Sequence, residues 1–231
     1  MNPINAVRLT AQFAFLALVP ARLLQAQEPP PVTATAVPAV SVIPASAGDT
    51  SEIIRTARAA DTVRIEKDRF LGERRDAETR WVTLREQGEK LKGGLAEVKD
   101  AISAATAKEK QAKKDKRDND RIFALAEKRQ LERSFDLIEA RYDLRRAQID
   151  QARIERDYLD ASIRANDAEL AIAERSAQVP PTDPTQRSVF EELTNRWLQA
   201  LRTRTARAYD LEDRRFKVVE AQLEMLKRQR R

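Results

Sequence analysis

The sequence predicts an all-α protein: a long antiparallel coiled-coil hairpin with a third long helix, preceded by a signal peptide and a proline-rich linker. Three observations predict it. No proline occurs between Ala45 and Val179. Across that stretch apolar residues return every seven positions, the spacing of helices that pack along a narrow seam. Charged residues make up 35% of the chain and aromatics 5%. An ordinary globular domain carries about 25% charged residues, so the composition suits extended helices with wide solvated faces.

Residues 1–26 read as a secretory signal. Arg8 supplies a positive start, and the run from Leu9 to Ala21 carries no charge. That run is too short to span a bilayer, which takes about 20 apolar residues. Leu24-Gln25-Ala26 offers a small-residue cleavage site, with Val19-Pro20-Ala21 as the alternative. Residues 27–48 form a linker. Pro29, Pro30, Pro31, Pro38 and Pro44 deny it a helix and give it extended polyproline character.

Residues 49–179 are assigned to the hairpin. The first helix is expected to begin near Asp49, where Asp49 and Glu52 have capping-box spacing. Its seam follows Val63, Phe70, Ala77, Leu84, Leu91, Val98 and Ala105 at one heptad position. Ala60, Lys67, Arg74, Trp81, Gly88, Leu95 and Ile102 occupy the other. Gly88, Gly93 and Gly94 each cost about 1 kcal/mol of helix propensity against alanine. The seam keeps its phase across them, so the helix is expected to continue through. From Lys108 to Arg121 the apolar pattern stops, which places the turn at about residues 113–119. The second helix resumes with Phe135, Tyr142, Ile149, Arg156, Ile163 and Leu170 at one heptad position. Leu131, Ile138, Arg145, Ala152, Leu159, Asn166 and Ala173 take the other.

Antiparallel pairing sets the register. Ile102 opposite Leu131, Val98 opposite Phe135, Leu95 opposite Ile138 and Leu91 opposite Tyr142 give apolar layers. Leu84 with Ile149, Phe70 with Ile163 and Val63 with Leu170 continue them. Arg145 then faces Gly88 and Arg156 faces Ala77, so each stem can lie on a small neighbour with its head in water. Lys67 faces Asn166. One heptad away, Trp81 and Phe70 would meet arginines and Val98 would meet Lys128. The competing arrangement is one unbroken helix through 108–121 paired with a second copy.

Residues 183–231 form a C-terminal helix. Asp183 as cap, Pro184 at the first position and Gln186 beyond it make the start. Its apolar stripe reads Phe190, Leu193, Trp197, Leu201, Ala208, Val219, Leu223 and Leu226, with Leu211 and Phe216 beside it. This helix is expected to fold back on the base of the hairpin as a local three-helix bundle, with self-association as the competing use.

The chain has no cysteine and no histidine. Cysteine nucleophiles, Ser-His-Asp triads and His- or Cys-ligated zinc are therefore impossible within it. No phosphate-binding glycine loop is present. Carboxylate pairs such as Glu191-Glu192 sit on solvated helical faces, where nothing perturbs them for acid–base work. The expectation is no enzyme activity, no cofactor, no metal and no small-molecule substrate. The formal net charge is +6, and two basic clusters stand out. Lys108, Lys110, Lys113, Lys114, Lys116, Arg117 and Arg121 gather at the tip. Lys227, Arg228, Arg230 and Arg231 gather at the end of the third helix. Both can meet anionic lipid, an anionic envelope polymer or an acidic protein, or simply keep the surface solvated.

In architecture the chain resembles the long helical hairpins of several bacterial envelope proteins, such as efflux-pump adaptors and coiled-coil activators of cell-wall amidases. With the predicted signal, the resemblance implies an exported, periplasmic or envelope-associated scaffold or adaptor. Its partners would be other envelope proteins or itself. A holdase-like periplasmic chaperone is the alternative, although no strand-rich trimerisation body is visible. A nucleic-acid-binding coiled coil is the reading if the N-terminus is not a signal.

Overall fold

The computed structural model of this 231-residue chain describes residues 58–179 and 183–230. The predicted signal, linker and capping box lie outside these residues. The described residues form three α-helices: α1 (Ala60–Lys114), α2 (Asp118–Gln178) and α3 (Arg187–Gln229). At 1.5 Å per residue these are about 82, 92 and 65 Å long. α1 and α2 pack antiparallel as a hairpin. α3 packs antiparallel on another face of α2, and α1 and α3 scarcely meet. α2 is therefore the central rod.

α1 is described from Ala60; the expected start near Asp49 lies outside the described residues. Ala59 is extended, with φ −57° and ψ 138°. Arg58, just ahead of it, is tied to α2. Its backbone N–H and its Nε both donate to Glu169 Oε1 at 3.0 Å, and its Nη2 donates to Glu169 Oε2 at 2.7 Å. Glu169 belongs to α2 and is buried, so these bonds fix the start of α1 to α2. α1 then runs through Gly88, Gly93 and Gly94 without a break. It ends in a Schellman motif: Arg117 N–H donates to Ala112 O at 3.0 Å and Lys116 N–H to Lys113 O at 3.3 Å. The motif needs a left-handed residue, and Lys116 takes it with φ 54°.

α2 opens with Asp118 and Asp120 in its first turn, where carboxylates complement the helix dipole. It closes at Val179, which is extended at φ −136° and ψ 131°. Pro180 follows, and a residue before proline is pushed out of the helical region. Asp183 then caps the next element. Its carboxylate accepts from Thr185 N–H at 2.9 Å and from Thr185 Oγ1 at 2.7 Å. The first turn is 3-10 (Pro184–Gln186) before α3 settles into α-helix.

The hairpin seam holds Val63, Phe70, Ala77, Val98 and Ala105 of α1 against Ile138, Ala152 and Leu159 of α2, all buried. Leu84, Leu91, Leu95, Ile102, Leu131, Phe135, Tyr142, Ile149, Ile163 and Leu170 are half-buried along it. Burying a side chain such as Phe70 contributes about 1.5–3 kcal/mol. Cross-helix ion pairs flank the seam: Lys67–Asp167 at 2.6 Å, Arg74–Asp160 and Arg80–Glu155 at 2.9 Å, and Glu78–Arg156 at 2.6 Å. Exposed pairs of this kind add little stability, but a one-heptad slip would break them all.

The two arginines in the seam differ. Arg156 pairs with Glu78 and stacks on Trp81, with its Cζ 5.3 Å from the ring centre. Arg145 does lie at Gly88, where an added Cβ would stand 3.7 Å from Arg145 Cγ. Its head, however, is not freely hydrated. Nη1 donates to Gln148 Oε1 at 2.9 Å, while Nε is buried without a partner among the described residues. Burial accordingly pulls its pKa down. Lys67 pairs with Asp167 at 2.6 Å, and the buried Asn166 amide donates to Glu66 Oε2 at 3.4 Å.

α3 corrects the sequence reading twice. It does not stop at the base of the hairpin but follows α2 as far as Glu139, which pairs with Arg228 at 2.8 Å. Its inner face also differs from the expected stripe. Phe190, Trp197, Leu211, Val218 and Met225 are buried, while Phe216, Val219, Leu223 and Leu226 are exposed. Residues 211, 218 and 225 continue the phase of 190 and 197, and each of 219 and 226 stands about 100° round the helix from it. The matching surface on α2 is a second seam of Ala140, Leu144, Ala147, Ile154, Tyr158, Ala161, Ala165, Ala168 and Ile172. Its small residues let α3 approach closely.

Candidate interaction surfaces

Three surfaces remain after the seams are filled: the hairpin tip, the end of α3, and the outer face of α3. At the tip, part of the basic cluster is committed to internal pairs. Lys108 Nζ lies 3.3 Å from Glu127 Oε1. Arg117 contacts Asp115 at 2.5 Å and Asp120 at 3.2 Å. Arg117, and then Gln111, hold the Asp115 carboxyl below its ordinary pKa by donating hydrogen bonds to it. Lys110, Lys113, Lys114, Lys116 and Arg121 make no ion pair among the described residues.

Two further tip residues escape a seam-based reading. Ile122 and Phe123 open α2 on its outer side, 65% and 71% exposed, next to the buried Ala124. The sequence does carry a signal for them. They fall at outward heptad positions, away from the seam, where a large apolar side chain has nothing to pack on.

The basic end of α3 is less free than its composition suggests. Lys227 Nζ lies 3.5 Å from Glu224 Oε2. Arg228 clamps α3 to α2: its Nη1 donates to Glu139 Oε2 at 2.8 Å and to the Asp136 carbonyl at 3.2 Å. The Glu139 bond raises its pKa. Arg230 is exposed, and Arg231 lies outside the described residues. Between α2 and α3 here is a shallow groove of about 340 Å³, lined by Asp143, Lys217, Glu220, Glu224 and Arg228 among others.

The outer face of α3 carries Tyr209 at 71% exposure, Phe216 at 63% and Leu223 at 53%, each seven residues from the last. Val219 and Leu226 lie between and beyond them, and Glu212 interrupts the row. This is a second apolar stripe on a helix whose other side is already packed on α2. Among the described residues nothing covers it.

Arg58, Glu66, Asn166 and Glu169 form a closed polar cluster at the base of the hairpin. Its donors and acceptors satisfy one another, so it holds the start of α1 and presents no open site. Among the described residues no acidic groups converge to hold a metal ion, and no helix is long and apolar enough to cross a membrane. Comparison with protein-family models, with curated proteins and with solved structures gave no match.

Proposed function

We propose that this chain is an exported, non-enzymatic helical scaffold or adaptor of a bacterial envelope that works through helix–helix contacts. The observation that carries the proposal is the exposed stripe Tyr209–Phe216–Val219–Leu223–Leu226 on α3. An apolar row at three-, four- and seven-residue spacing is the surface one helix offers another. α3 already spends its inner face on α2, so the outer row is available for a helix of a second copy or of another envelope protein. The absence of cysteine and histidine supports a binding role over a catalytic one.

The test is association. Phe216→Ser with Leu223→Ser is expected to abolish assembly, whether with itself in sedimentation or with an envelope partner photo-crosslinked from position 223 in cells. The helical content should stay unchanged, because both side chains are exposed. A parent chain that remains monomeric and yields no crosslink from position 223 would remove this reading. Export is tested separately: residues 1–30 fused to an export reporter should carry it out of the cytoplasm, and retention inside would contradict it.

A further inference from the structure

We propose that the distal end of the hairpin docks on an anionic lipid surface, with Ile122 and Phe123 entering the interface and the tip cations holding phosphate head groups. This surface is separate from the α3 stripe and does not depend on it.

Three observations converge on the tip. Ile122 and Phe123 are large, adjacent and mostly exposed although Ala124 beside them is buried. Side chains lean toward the N-terminus of their own helix, and for the opening turns of α2 that direction is the end of the molecule. Residues 108–121 hold seven Lys/Arg against four Asp/Glu. Of the acids, Asp115 and Asp120 are paired with Arg117, and Glu109 lies 3.9 Å from Lys128. Only Asp118 makes no ion pair among the described residues to offset Lys110, Lys113, Lys114, Lys116 and Arg121. Finally, the turn residue in the left-handed conformation is Lys116, where glycine is the usual choice. The turn carries a cation at its apex at the expense of backbone strain.

The partner must satisfy both chemistries. A polyanion in solution would neutralise the lysines and leave Ile122 and Phe123 in water. An anionic bilayer meets both: polybasic segments are drawn to its surface charge, and apolar side chains settle at the boundary between head groups and chains.

The chain has no cysteine, so single labels can be placed cleanly. An environment-sensitive fluorophore on Phe123→Cys of the full chain is expected to shift to the blue with phosphatidylglycerol vesicles and not with phosphatidylcholine vesicles. The same label on Val82→Cys, midway along α1, should not shift. This control separates tip docking from attachment elsewhere in the chain, residues 1–57 included. Lys113→Gln with Lys114→Gln and Lys116→Gln should abolish the shift. In the unlabelled chain, Ile122→Ser with Phe123→Ser should weaken vesicle binding by about tenfold or more. The two variant sets act independently, so a folding defect in one leaves the other decisive, and melting curves check both. An equal shift with neutral vesicles overturns the proposal. So does a shift at Val82 alone, or a tip label that answers an acidic protein or nucleic acid and ignores vesicles.

Discussion

Lys116 shows what a single residue costs and what it places. A non-glycine side chain in the left-handed region carries about 1–2 kcal/mol of strain. The Schellman bonds from Arg117 to Ala112 and from Lys116 to Lys113 hold it there. Lys116→Gly is therefore expected to stabilise the protein by about 1 kcal/mol, seen as a higher urea midpoint at unchanged slope. No gain would mean that the turn differs from the one described. Asp183 gives the pH counterpart. Hydrogen bonds from the Thr185 side chain, then its backbone, hold this carboxyl below its ordinary value of 3.8. A carboxyl depressed on folding stabilises the fold fully above its unfolded value and loses that contribution as pH falls through the lower folded value. Amides at the start of α3, corrected for their intrinsic exchange rate at each pH, should lose protection as pH falls below 3.8. Asp183→Asn, a cap that does not titrate, should remove that acid step. An identical acid step in the variant would exclude Asp183 as its source.

At the scale of elements, the glycines of α1 separate propensity from packing. An added Cβ at Gly93 meets nothing within 4 Å, whereas at Gly88 it stands 3.2 Å from Ile149 Cδ1. Gly93→Ala should gain about 1 kcal/mol of helix propensity. Gly88→Ala should gain clearly less in thermal or urea unfolding, because Ile149 must give way. Equal gains would contradict the close approach of the two helices at Gly88. Those helices were legible in the sequence through their heptads, and so was the antiparallel layering that sets Gly88 beside Arg145. The second seam of α2 was legible too, in Ala140, Leu144, Ala147, Ile154, Tyr158, Ala161 and Ala165, but it is easily overlooked. Alanine looks neutral on any helical face, and a seam built from it has little contrast with solvent. The inner face of α3 was misread for the opposite reason. Two apolar rows share its second half, and composition alone does not say which one meets α2. The contact of Arg58 with Glu169 was hidden because it joins residues far apart in sequence.

The described residues are built on α2, which carries one seam for α1 and another, alanine-rich, for α3. The outer row of α3 and the end of the hairpin are left facing solvent. Function is least legible at this scale. Buried positions have a physical answer in their neighbours, but the exposed rows acquire meaning only from something outside the chain. The tip role requires that the hairpin close within one chain, because a rod paired with a second copy would have no turn and no tip. The register places Val98 beside Phe135 across the seam. Cysteines introduced at these two positions, in a chain with none of its own, test the closure directly. Mild oxidation at low protein concentration should give a disulfide within single chains at monomer mass. A Val98→Cys, Lys128→Cys pair, one heptad out of register, should stay reduced. Products linked only between chains, or a preference for the Lys128 pairing, would contradict the fold and the tip role built on it.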